Sequence, residues 1–171
     1  MEQLVGLFYG FQIALTWDNL LYCFLGTLIG TLVGVLPGLG PAATVALLLP
    51  ATFKLPPVSA IIMLAGIFYG AMYGGSTTSI LLNIPGEAAS VVTCIDGYQM
   101  ALRGRAGPAL AISAIGSFIA GTIGIVALNF LAPPLAEFAV QFGPPEYFAL
   151  TLFGLFLAAY LASSSMVKGL S

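Results

Sequence analysis

Long apolar stretches, separated by a few polar breaks, make up most of this chain of 171 residues. No charged side chain occurs in residues 19–53, 55–86, 106–136 or 147–167. Since roughly 20 consecutive apolar residues suffice to cross a bilayer core, these stretches leave room for four or more membrane segments. The pattern predicts an all-α integral membrane protein with several transmembrane helices.

The first third of the chain predicts an interfacial helix, a spanning helix and a half-helix. Residues 1–18 contain an apolar run too short to span, with aromatic side chains suited to the headgroup level, so we expect an interfacial helix there. Residues 19–53 predict a helix to Leu36, a break at Pro37–Pro41, and then a half-helix or re-entrant arm.

Residues 57–105 predict a broken-helix region. A strong span should cover residues 58–73, after which Gly74 to Pro85 should form an extended break. A less apolar helix should begin at Glu87. The sequences that follow the two breaks are similar, because each Pro-Gly pair leads into a run of small residues.

Residues 106–171 predict two transmembrane helices, and all segments belong to a single membrane domain over residues 1–171. Pro133-Pro134 should close the first of these helices near residue 131. The second should cover residues 147–162, with Pro and Glu at its start near Gly143.

Two sets of glycines at four-residue spacing lie on predicted helices. They are Gly26, Gly30 and Gly34, followed by Gly66, Gly70 and Gly74. Small residues at this spacing let helices approach closely in lipid. The pattern indicates either a contact between subunits or packing within one subunit.

Composition agrees with a membrane protein and excludes several functions. The chain is 60% hydrophobic and 6% charged, with a mean hydropathy of +1.08. No cluster of Lys or Arg exists to neutralise phosphates, which argues against a nucleic-acid partner. Without His, and with scattered acidic residues, the sequence offers no catalytic pair and no metal-ligand spacing. We therefore expect neither an enzyme nor a cofactor other than a coupling ion.

The two breaks are the candidate binding site. A helix that begins within the membrane presents free N–H groups and about half a unit of positive charge, which suits a carboxylate. Hydroxyl, amide and carbonyl groups could add ligands for Na⁺ at Ser76, Thr77 and Asn83. The candidate set is Pro37, Gly38, Gly40, Thr44, Ser76, Thr77, Thr78, Ser79, Asn83, Pro85, Gly86 and Ser90.

Each of these residues also has a purely structural interpretation. A Ser or Thr in a membrane helix often bonds its own preceding carbonyl, and Gly or Pro often only kinks a helix. Glu87 could stabilise a helix N-terminus or take part in ion coupling.

Basic residues predict the orientation. Arg103 and Arg105 precede one span and Lys168 follows the next, so all three should face the cytoplasm. The loop around residues 137–146 should then face outward.

Three motifs carry a resemblance to a known family. They are Gly34-Val35-Leu36-Pro37-Gly38-Leu39-Gly40-Pro41, the segment from Tyr69 to Glu87, and Asp96-Gly97-Tyr98. These motifs resemble the large membrane subunit of the tripartite tricarboxylate transporters, the TctA family.

The resemblance implies a multi-pass permease of the bacterial inner membrane, with an elevator-like arrangement. It would be a secondary transporter that imports tricarboxylates or related organic anions with an ion gradient of Na⁺ or H⁺. A small membrane subunit and a periplasmic solute-binding protein would be its partners. Such subunits contain two related halves, and this chain resembles the N-terminal one, with the second half expected to be missing. It is then either the N-terminal part of such a subunit or a half-length relative that needs a partner. A non-transporting membrane scaffold and a passive anion channel are the alternatives.

Overall fold

The computed structural model describes residues 2–162, and every element in that range is helical. The α-helices are α1 (Glu2–Ala14), α2 (Trp17–Gly34), α3 (Gly40–Leu48), α4 (Pro57–Leu82), α5 (Val91–Leu102), α6 (Ala106–Ala139) and α7 (Pro144–Ala162). Two 3₁₀ helices, Leu49–Thr52 and Ala88–Ser90, extend α3 and precede α5. The chain divides into unit 1, Met1–Phe118, and unit 2, Ile119–Ser171.

The helices have the lengths and surfaces of a membrane protein. Among the described residues, α4 and α6 are long and apolar enough to cross a bilayer. A third span results when the bent pair of α1 and α2 is taken together as a single membrane segment. α7, described only to Ala162, is not one of them. Large apolar side chains are exposed along every α-helix, as contact with lipid requires. The predicted all-α membrane class is confirmed.

α2 and α4 form the tightest contact in unit 1, and they run in parallel. A Cβ atom on Gly26, Gly30 or Gly34 would collide with the backbone of Met63, Ile67 or Ala71, respectively. In return, Gly66, Gly70 and Gly74 lie against the backbone of Cys23, Thr27 and Thr31. The two glycine sets therefore pack against each other within one chain, which confirms packing within a subunit as their role.

A buried polar contact joins the N-terminal ends of the same pair. Ser59 Oγ donates to Asn19 Oδ1 at 2.7 Å, and Asn19 Nδ2 donates to the carbonyl of Ile13 at 2.8 Å. The first bond fixes the register of α2 against α4, and the second ties the end of α1 to both. α1 meets α2 at an angle of 76°.

The parallel arrangement sets the path of residues 35–56. These residues leave the C-terminal end of α2 and arrive at the N-terminal end of α4, so they return along the length of the pair. α3 and the 3₁₀ helix that follows it make this return, and α3 packs on both helices. Thr44 of α3 is fully buried. The predicted half-helix is present as α3 and forms part of this return.

The predicted extended break at Gly74 is wrong in its extent. α4 stays helical for nine residues beyond Tyr73, since it ends at Leu82. Three hydroxyl side chains that suggested a break instead bond to carbonyls of the preceding turn, so they fit a helix without leaving any group unpaired. The true break covers residues 83–87.

Unit 2 also differs from the sequence prediction at one boundary. α6 continues through Pro133 and Pro134 to Ala139, although neither proline can donate the backbone bond that the helix would make there. α7 begins at Pro144 with Glu146 in its first turn, as predicted. Tyr147 Oη donates to the carbonyl of Ala139 at 3.1 Å, which joins the start of α7 to the end of α6. Lys168 lies outside the described residues.

Candidate functional site

Both breaks meet α4 at the adjacent glycines Gly74 and Gly75. A Cβ on Gly74 would lie 2.7 Å from the carbonyl carbon of Gly34 and 2.8 Å from the nitrogen of Val35, where the first break begins. A Cβ on Gly75 would lie 3.3 Å from Cα of Gly86, in the second break. Side chains at 74 and 75 would push the breaks away. Glycine therefore allows both breaks to converge on one level of α4.

The first break ends in a helix N-terminus that no side chain caps. Gly38 and Gly40 have φ angles of +88° and +63°, a region that favours glycine. They turn the chain into the start of α3, and Leu39 at its N-cap provides no side-chain hydrogen bond. The N–H groups of Gly40 and Ala42 belong to this first turn and have no partner within the helix. Pro37 and Gly38 are exposed.

The second break reverses the chain along α4. Asn83 ends α4 in the left-handed conformation, with φ of +58° and an exposed side chain. Pro85 is exposed, and Gly86 is buried against Gly75. Because Gly97 of α5 then lies beside Ile80, α5 advances in the same direction as the last turns of α4.

The helix start after the second break is already capped. Ser90 Oγ accepts a bond from the Glu87 N–H at 3.1 Å and donates to the Glu87 carbonyl at 2.9 Å. The Glu87 side chain accepts a bond from the Ser90 backbone, which completes a capping box. Of the two roles considered for Glu87, stabilisation of a helix N-terminus is the one observed here.

Most candidate hydroxyls donate to their own helix. Thr77 bonds to the carbonyl of Tyr73 at 2.9 Å, and Thr78 and Ser79 both bond to that of Gly75 at 2.9 Å. Thr44 bonds to the carbonyl of Gly40 at 2.8 Å. A hydroxyl whose proton is used this way cannot donate to a carboxylate, although its oxygen can still accept from a cation. Thr44, Thr78 and Ser79 are also buried.

The helical geometry separates the three groups considered for Na⁺. Ser76 and Asn83 are seven residues apart, about 10 Å along a helix axis, so they do not surround a single ion in this conformation. Ser76 is half-buried, and its hydroxyl has no bonding partner among the described residues. Ser76 and Thr77 are therefore the accessible hydroxyl oxygens of this part of α4.

Sequence reasoning missed the role of Gly75. Gly74 continues the four-residue glycine spacing, but Gly75 falls outside it and has no place in the α2–α4 contact. A second glycine next to a regular set, followed by Pro85-Gly86, was the available signal for a close approach of two backbones.

Comparison with known proteins identifies the family. A family model described as "Tripartite tricarboxylate transporter TctA family" matches residues 20–171. The chain belongs to the TctA family. The description of that family is of transporters rather than enzymes.

One curated relative shares most of this TctA sequence. It is the "Uncharacterized 52.8 kDa protein in TAR-I ttuC' 3'region" of Agrobacterium vitis, 58% identical over 170 residues. The alignment takes in 99% of the TctA chain and 34% of the relative, so the chain spans about a third of the relative's length. No solved structure matches.

Proposed function

We propose that this TctA chain is part of the membrane subunit of a secondary active transporter. The carrier imports tricarboxylates or related organic anions across the bacterial inner membrane, driven by a gradient of Na⁺ or H⁺. A periplasmic solute-binding protein delivers the anion, and a small membrane subunit completes the complex. Membership of the TctA family supports this proposal.

The uncapped N-terminus of α3 is the observation that carries the proposed site. Free N–H groups and the positive end of the helix dipole attract a carboxylate. Two positive-φ glycines lead into this helix start, and Gly38, Leu39 and Ala42 beside it are exposed. Neutral donors also allow release, whereas a buried Arg would hold the anion more tightly.

The second helix start has a different role in this proposal. Glu87 already occupies it with a carboxylate, so a substrate anion would meet a like charge there. The accessible oxygens of Ser76 and Thr77 lie on α4 just beyond Gly75 and suit a cation. We assign the anion to α3 and a coupling cation to this part of α4.

Uptake by the complete complex that contains this chain, reconstituted in sealed vesicles, tests the function. We expect saturable citrate uptake that requires a Na⁺ or H⁺ gradient and increases when the solute-binding protein is added, and we expect no uptake by this chain alone. Uptake that follows only the citrate gradient would identify a passive channel. The absence of any uptake by the complete complex would favour a scaffold.

Thr77→Val tests the cation part of the site. Valine keeps the shape of threonine and removes the oxygen, so the cation concentration for half-maximal uptake should rise by about fivefold to tenfold. Thr151→Val is the matched control, because Thr151 bonds the carbonyl of Tyr147 as Thr77 bonds that of Tyr73. Equal cation dependence in both variants would remove Thr77 from the site.

A further inference from the structure

A groove in unit 1 lies between α4, α5 and the first turns of α6. Its volume is about 280 Å³, enough for roughly nine water molecules at about 30 Å³ each. The lining is apolar apart from Thr93 and Asp96 on α5 and Ser113 on α6. Three oxygen-bearing side chains from two helices therefore line one groove with room for several water molecules.

These three side chains have no partner within the described residues. The Asp96 carboxylate forms neither a hydrogen bond nor an ion pair there, and the hydroxyls of Thr93 and Ser113 form no hydrogen bond. Other helical threonines behave differently, since Thr27 and Thr31 each bond a carbonyl of the preceding turn at 2.8 Å. Asp96 is exposed, and Thr93 and Ser113 are half-buried, so the oxygens of all three side chains are accessible from the groove and free to bind a ligand there.

The geometry of α5 places the side chains of Thr93 and Asp96 close together. Thr93 and Asp96 are three residues apart and therefore lie on one face, one turn from each other. Gly97 allows α5 to approach α4 closely, because a Cβ there would lie 2.7 Å from Cγ1 of Ile80. Ser113 faces the same groove from α6.

The donor set selects the class of ligand. Carboxylate and hydroxyl oxygens are hard ligands that suit hard cations, and the groove has room for an ion with part of its water shell. A single carboxylate balances a single charge, whereas protein sites for Ca²⁺ usually combine several carboxylates. Asp96 repels an organic anion. We propose that Thr93, Asp96 and Ser113 form a Na⁺ site, separate from Ser76 and Thr77, in which water completes the coordination.

The proposed Na⁺ site is connected to the transport proposal in one respect, ion coupling. Its role in ion coupling rests on the transport proposal, but binding of Na⁺ does not. Binding can therefore be measured on its own.

Equilibrium binding of radioactive sodium to the intact purified protein in detergent tests the site. We expect saturable binding with a component whose affinity Asp96→Asn weakens by more than about tenfold, because a charged ligand is lost, while any binding at Ser76 and Thr77 remains. Thr93→Val and Ser113→Ala should each weaken it several-fold. Asp18→Asn, an exposed acid in the first turn of α2, and Ser117→Ala, one turn beyond Ser113, are controls that should bind as the parent does.

The outcomes separate this proposal from the transport proposal. Unchanged sodium binding in Asp96→Asn, or no saturable binding by the parent, would overturn the site. Sodium binding that depends on Asp96 in a protein without carboxylate uptake would support the site and contradict the transport function. If Asp96→Asn aggregates, Thr93→Val and Ser113→Ala carry the test, and normal binding in both would overturn the site.

Discussion

At the scale of single residues, the structure separates two roles that a polar side chain in a membrane helix can have. The hydroxyls of Thr44, Thr78 and Ser79 are buried and bonded within their own helices. They stabilise the local backbone and cannot donate to a solute. Ser76 and Asn83 are accessible and unbonded among the described residues, so they remain available to a ligand.

Sequence reasoning could not make that distinction. The run Ser76 to Ser79 has the composition of a polar break, yet in the helix three of its four hydroxyls bond a carbonyl one turn earlier. The glycine and proline pairs at 37–38 and 85–86 were located correctly, because both are strong helix breakers. Which hydroxyls face a cavity depends on packing against α3 and α5, and spacing alone does not contain that information.

Asn83 gives a prediction at this scale. Its left-handed backbone costs about 1 kcal/mol for most residues, but not for glycine. Asn83→Ala should therefore lower the unfolding temperature more than Asn83→Gly does, as measured by thermal unfolding in detergent.

The variants Asn83→Ala and Asn83→Gly also test whether the side-chain amide of Asn83 takes part in transport. Both variants lack it, so a loss of citrate uptake common to both assigns the amide to the site. Loss in Asn83→Ala alone would assign only a backbone role to Asn83.

At the scale of helices, the α2–α4 contact was partly visible in the sequence. Four-residue glycine spacing predicted two smooth helix faces, and the structure shows that these faces meet each other. Neither the partner nor the parallel direction follows from the spacing. At Pro133-Pro134 the sequence predicted a helix end that the structure does not have. α6 continues through both prolines and lacks only the two backbone hydrogen bonds that they cannot donate.

Gly30→Ala should destabilise the protein. The added Cβ would collide with the backbone of Ile67, and overpacking of this kind costs roughly 1–3 kcal/mol. Gly116→Ala is the matched control, because nothing lies within 4 Å of its Cβ position and alanine favours a helix. Thermal unfolding should show a lower midpoint for the first variant and an equal or higher midpoint for the second. Equal midpoints would contradict the close contact between α2 and α4.

At the scale of the whole molecule, the proposed orientation can be tested by labelling. Arg103 and Arg105 should face the cytoplasm and Glu146 the periplasm, since basic residues favour the cytoplasmic side. In intact cells, an impermeant thiol reagent should label a cysteine at 146 and not one at 103. The reverse pattern would invert the topology. Cys23 and Cys94 must first be replaced.

The parallel direction of α2 and α4 makes a second prediction at this scale. Cysteines placed at Asn19 and Ser59 should be joined by a short thiol cross-linker, because the two native side chains are 2.7 Å apart. Cysteines at Asn19 and Ser76 should not be joined, since they lie at opposite ends of the pair. Cross-linking of the second pair alone would indicate antiparallel helices.

The return path of residues 35–56 has a consequence for biosynthesis. On the proposed membrane arrangement α2 and α4 cross the bilayer in the same direction, so the link between them has to return across it. α3 and the following 3₁₀ helix are shorter than the roughly 20 residues that form an independent membrane segment. This link therefore cannot be stably inserted when it leaves the ribosome. It must wait until α4 has been synthesised and offers the surface on which Thr44 becomes buried, which makes the first Pro-Gly break a late step in the assembly of the protein.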